Sequence, residues 1–202
     1  MQYPSFFDAA RKITVYDPLA ELLGAATNGV IEYSYADAVK LAGHSCPTVA
    51  GAYLMTLKAL ASLYGDGLPQ RGGIKVAFPN PLQSGVAGVI ANVASLITGA
   101  TSDSGFKGLA GRFDRRNLLF FEVALEGDIR FQRTDTGASV TVSYHPDIVA
   151  SSPAVMPLMQ KILGGTAEEQ EKREFAQLWQ ERVRQILEAI DDPRLVTFCD
   201  VI

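Results

Sequence analysis

Histidine and cysteine are both scarce, with two of each in 202 residues: His44, His145, Cys46 and Cys199. A closed structural zinc site takes about four nitrogen or sulfur ligands. One here would consume every candidate from scattered positions, so that class is set aside. Two distant cysteines provide no disulfide scaffold and a chain of this length demands none, so both are read as reduced. No basic segment followed by an apolar run opens the chain, and no apolar run reaches the ~20 residues of a membrane span without polar interruption. The nearest approach is residues 85–97. The expectation is a cytoplasmic protein with no membrane partner. The 18 lysines and arginines against 22 acids leave a net charge of −4, with no cationic cluster interleaved with aromatics, which speaks against a nucleic-acid partner. What is abundant is apolar surface: 48% of residues are hydrophobic, enough for a real core in one globular domain.

The scarce chemistry is concentrated in Gly43-His44-Ser45-Cys46-Pro47, which runs into the apolar stretch 48–63. Proline fits the first position of a helix, where its missing N–H costs nothing, so Cys46 is placed as the N-cap. The N-terminus of a helix carries partial positive charge and unpaired N–H groups, a setting that favours thiolate over thiol. His44 lies two residues upstream. In an extended approach alternate side chains face the same way, so His44 and Cys46 are candidates to meet one ion or one substrate atom. The plainer alternative is a small buried cysteine beside a hydrogen-bonded histidine. Glu32 and Asp37 are the nearest upstream acids, either solvated or orienting the imidazole from behind.

The rest of the chain supplies the frame. Residues 5–12 and 18–23 read as short helices, the second opened by Asp17-Pro18 and closed by Gly24. Residues 30–33 and 73–78 read as strands, and 35–41 as a helix ended by Gly43. Ser84 is placed as the cap of a helix rich in small residues, whose natural partner is the helix after Cys46. On it Asn92, Ser95 and Thr98 form a polar stripe, the wetter face or a source of hydrogen bonds to a ligand. Residues 102–112 form a glycine-rich loop in which Lys107 and Arg112, with flexible backbone N–H groups, are candidates to hold a carboxylate or phosphate. Residues 117–125, 128–134 and 138–144 read as an antiparallel meander. Thr166-Ala167-Glu168-Glu169 reads as a capping box that opens a strongly amphipathic helix carrying Trp179. That helix covers its own core or a second copy of the chain. A short edge strand follows it.

The stretch from Gly43 to Pro47, followed by a helix rich in small residues, resembles the signature of the formylmethanofuran dehydrogenase E-subunit family. Residues 91–101 are similar to the segment leading into that family's Thr-Gly-Cys-Thr. Asn92 stands where the family tends to have Asp, Ala100 where it has Cys, and there is no cysteine near Val89. The cysteine-rich zinc appendage of some members is absent. Of the ligands the resemblance implies, only His44 and Cys46 carry over. The resemblance also suggests pairing of two chains.

Together these readings give an α+β fold, with helices on one face of a largely antiparallel sheet. Residues 1–165 form the core, and residues 166–202 a C-terminal amphipathic helix and tail. Two functions stay open. In one, His44 and Cys46 hold a transition metal, zinc first, or Cys46 works as a thiolate on a small molecule, with Asn92, Lys107 and Arg112 as ligand-binding candidates. In the other, a non-catalytic module holds haem or another small ligand through the same pair. A homodimer is expected in either case.

Overall fold

The computed structural model describes residues 3–201. Its N-terminal part alternates short elements: α1 (Phe6–Ala9), β1 (Ile13–Tyr16), α2 (Pro18–Leu22), β2 (Val30–Tyr33) and α3 (Tyr35–Ala42). The strands β1 and β2 pair antiparallel as a separate hairpin. The helix expected over residues 5–12 stops at Ala9, because Ala10 is already extended and leads into β1. Asp17 caps α2 as expected, its carboxylate accepting from the N–H groups of Leu19 and Ala20.

The centre of the molecule is α4 (Pro47–Tyr64). Residues 49–56 are buried without interruption, so this helix has no solvent face along its first half. It is enclosed by α3, by α5 (Ala87–Thr98), by α7 (Glu169–Glu188) and by the main sheet. That sheet consists of β3 (Ile74–Ala77), β4 (Leu119–Phe120), β5 (Ile129–Arg133), β6 (Ser139–Tyr144) and β7 (Val196–Val201), in the order β4-β3-β5-β6-β7. Alternation puts Ile74, Val76, Ile129, Phe131, Val140 and Val142 on the face under the helices, all fully buried. α6 (Val155–Leu163) packs on α7. The α+β class and the predominance of antiparallel pairing are as expected.

Three expectations are corrected. The run 117–125 is not the first strand of a meander: only Leu119–Phe120 is strand, and it pairs parallel to β3 at the sheet edge. Asn117 and Glu122 adopt positive φ (57° and 58°), which breaks any continuous extended run. Ser84 does not cap α5 with its side chain; the helix starts at Ala87, whose N–H donates to the Ser84 carbonyl at 3.1 Å. The capping box of α7 lies two residues further on, where the Glu171 carboxylate accepts from the Glu168 N–H at 2.9 Å, while Thr166 bonds back to the Lys161 carbonyl of α6.

Candidate functional site

The segment carrying the scarce residues is a tight link between α3 and α4. α3 opens on Ser34, with the Asp37 carboxylate accepting from the Ser34 N–H at 2.9 Å, and ends where Gly43 turns left-handed at φ 74°. Glycine takes up that conformation without the steric penalty that a Cβ would bring. The turn throws His44 out to solvent. Its Nδ1–H donates to the Ala42 carbonyl at 2.9 Å, since a carbonyl oxygen only accepts. The Nε2 lone pair is thereby left available, the tautomer that a metal-ligating imidazole adopts when a backbone carbonyl orients it. Neither upstream acid orients the ring. Glu32 pairs with Lys12 at 2.6 Å, and Asp37 is committed to Ser34 and Lys40.

Ser45 is held from both sides. Its hydroxyl lies 3.0 Å from the Tyr35 hydroxyl, and its carbonyl accepts from Trp179 Nε1 at 3.0 Å and Gln180 Nε2 at 3.1 Å. Trp179 therefore anchors α7 on its own chain. Cys46 is the N-cap of α4, with its Sγ accepting from the Val49 N–H at 3.4 Å and Pro47 in the first turn. It is half-buried. The Pro47 carbonyl accepts from the Tyr144 hydroxyl at 3.0 Å. Burial pushes the phenols of Tyr35 and Tyr144 well above their ordinary range, against the Ser45 hydrogen bond at Tyr35 and the Arg182 charge at Tyr144, which pull the other way. Both therefore remain hydroxyl donors through the physiological range.

Beside the first turn of α4 lies a cavity of about 370 Å³, walled by Thr48, Asn80, Ser84, Asp128 and Tyr144 among apolar residues. The polar stripe on α5 does not reach it, because Ala87 and Ile90 face it instead. Asn92 is exposed, Thr98 is buried and donates to the Ala94 carbonyl, and the Ser95 hydroxyl is buried without a partner. Lys107 is exposed on its loop, whereas Arg112 lines a different cavity, together with Arg71 and Arg115.

His44 and Cys46 offer one imidazole and one thiol, two of the about four donors that a closed zinc site takes. No group of three or more His, Cys, Asp or Glu suited to a metal occurs among the described residues. His145 bonds Thr197 Oγ1 at 2.9 Å, and Cys199 lies 3.3 Å from Ser143 Oγ. Neither joins His44 and Cys46. The residues that sequence reasoning missed are Asp17, Arg71 and Arg115, an ion cluster in which Asp17 and Arg115 are buried and Arg71 is half-buried. Asp17 read only as a helix cap, and nothing local linked it to arginines so far along the chain.

These features define an α+β domain whose enclosed central helix begins on a cysteine, with an outward-turned histidine two residues before it. The family model described as FmdE, molybdenum formylmethanofuran dehydrogenase operon, matches residues 41–194, and the chain belongs to that family. The match takes in the His44–Cys46 turn, the main sheet up to β6, and α7. No curated protein matches the chain.

Proposed function

We propose that this protein binds a transition ion, zinc first, in an open site formed by Cys46 Sγ and His44 Nε2, and handles a small polar molecule next to it, in a role related to formylmethanofuran dehydrogenase. The observation that carries this reading is the hydrogen bond of His44: with its Nδ1–H spent on the Ala42 carbonyl, the neutral ring turns an Nε2 lone pair outward, two residues from a cysteine at a helix N-terminus. Mixed thiolate and imidazole ligation suits zinc. When bound there, zinc supplies Lewis acidity toward an oxygen of a small molecule. The chain's own contributions are positional. Gly43 and the Trp179–Ser45 clasp fix the turn that carries both donors, and Thr48, Asn80 and Tyr144 offer hydrogen bonds in the cavity beside the first turn of α4, whose lining includes neither His44 nor Cys46.

The test is elemental analysis of four single variants. Zinc is expected to copurify below one equivalent and to leave with a chelator without unfolding the protein. Cys46→Ala and His44→Ala are expected to lose it, and His145→Ala and Cys199→Ala to retain it. Metal content unchanged by both of the first two variants would overturn the assignment, and an intense haem band in the visible spectrum of the purified protein would reassign the thiolate to haem.

Two protein ligands leave room for a group from a second copy, which supports a homodimer. Leu22, Leu23, Met156 and Leu163 are exposed and add apolar surface outside the core. Light scattering at micromolar concentration is expected to return twice the 21.7 kDa chain mass, and the monomer mass would remove this part of the proposal.

A further inference from the structure

Away from His44 and Cys46, a second constellation gathers around Asp17. The Arg115 side chain is only 6% exposed; its Nη2 donates to Asp17 Oδ1 at 2.6 Å, while its Nε and Nη1 have no partner. Arg71 donates from Nη1 to the other Asp17 oxygen at 3.0 Å and from Nε and Nη2 to the Leu96 carbonyl. The guanidiniums lie in a slot shaped by two glycines. A Cβ on Gly72 would stand 1.6 Å from Arg115 Nη1, and one on Gly99 would stand 3.2 Å from Arg115 Nη1 and from Arg71 Cζ. Both glycines have positive φ, 80° and 72°. The chain thus leaves side chains out at two distant positions, and arginine fills the space.

This cluster borders a cavity of about 410 Å³, in the range of small-molecule sites. Charge in its wall does not balance. One carboxylate, Asp17, serves both Arg71 and Arg115, and burial depresses Arg115 below the ordinary guanidinium range, with Asp17 opposing the effect. Asp17 stands behind the lining; Asp114, the acid that is part of it, is held by the Arg116 side chain through two contacts at 3.0 and 2.7 Å. Glu21 accepts from the Tyr16 hydroxyl at 2.5 Å. Arg112 is exposed and stacks over Phe113 at 4.8 Å, with no acid partner among the described residues. A purely structural ion network needs neither the unpaired Arg115 N–H groups nor Arg112 at the rim.

We propose that this cavity binds the anionic group, phosphate or carboxylate, of a polar small molecule, with Arg71, Arg112 and Arg115 as its cationic wall. Guanidinium is the side chain best matched to such oxygens, because its fixed N–H fork meets two of them at once. The cavity volume of about 410 Å³ and the net charge of −4 favour a small ligand over a nucleic-acid strand. Of the two cations that the glycine-rich loop offered, Arg112 is the one the fold brings to the site; Lys107 is not in its wall.

Isothermal titration of the full-length protein with inorganic phosphate, and separately with citrate, at constant ionic strength in chloride, tests this assignment. Saturable binding of one equivalent is expected, and a preference for either anion identifies the group and supports the site. Arg112→Gln, an exposed change whose folding is checked by its melting temperature without anion, is expected to weaken binding about tenfold or more through loss of charged hydrogen bonds. Lys107→Gln is expected to bind as the parent does. Cys46→Ala is expected to bind phosphate normally, so failure of the metal reading and failure of this one are separable. Absence of saturation by both anions up to about 10 mM, a free energy of under 3 kcal/mol, or equal binding by Arg112→Gln, would overturn the proposal.

Discussion

Asp17→Ala is expected to cost about 3–5 kcal/mol, because it strands buried guanidinium charge. The Asp17 side chain is 4% exposed and is the shared counter-ion of Arg71 and Arg115, besides capping α2. Asp17→Asn separates these duties. Asparagine still caps a helix well, so a comparable loss in this variant locates the cost in the missing charge. Urea unfolding followed by circular dichroism measures both variants. A loss under about 1 kcal/mol in Asp17→Asn, the size of an ordinary surface effect, would mean that the arginines are neutralised by something else. Acid should weaken the native protein in the same place. Burial alone raises the Asp17 carboxyl, but the Arg71 hydrogen bond, the Arg115 charge and the N–H groups of Ala20 and Leu19 outweigh it, so the net shift is downward. A depressed carboxyl contributes stability in full above its unfolded value of about 3.9. That contribution is lost as pH falls through the still lower folded value.

Gly51→Ala is the second large effect, and its sign opposes the usual rule. In a helix interior alanine exceeds glycine by about 1 kcal/mol, so α4 taken alone would gain. A Cβ at Gly51, however, would meet the Tyr144 ring at 2.3, 2.5 and 2.6 Å, closer than atoms can pack. The ring is held by the hydroxyl bond to Pro47 and by its place at the end of β6. Overpacking of this kind costs about 1–3 kcal/mol, so a net loss is expected, along with a broken Tyr144–Pro47 contact at the start of α4. Denaturant unfolding decides between the two: a variant more stable than the parent would show that the ring swings away freely.

Gly51 also marks the limit of what the sequence discloses. Its small size read as an allowance for a neighbouring helix, and α4 does pack on α5, but the residue that fills the space above Gly51 is a strand tyrosine 93 positions later. Signals that act over a few residues were legible: Asp17-Pro18 opening α2, Gly43 ending α3, Cys46-Pro47 opening α4. Each is a local hydrogen bond or a backbone conformation that one residue type satisfies best. Illegible were features whose cause lies far along the chain. β4 read as part of a meander because its aromatic and β-branched surroundings suit any strand, and only its docking on β3 makes it parallel and short. For His44 the sequence leaves Glu32 and Asp37 either solvated or orienting the ring, and both are engaged elsewhere. Its actual partner, the Ala42 carbonyl, belongs to the backbone and has no sequence signature. Asp17 and Arg115 are 98 positions apart, and no periodicity links them to Gly72 or Gly99.

The bond from Trp179 to the Ser45 carbonyl spans 134 positions. During synthesis, the turn bearing His44 and Cys46 leaves the ribosome long before α7 exists to hold it, and at ~5–20 residues per second the interval is on the order of ten seconds. Through that time the turn lacks its clasp. The final geometry of the pair is thus a late event, completed by the part of the chain that carries none of the chemistry.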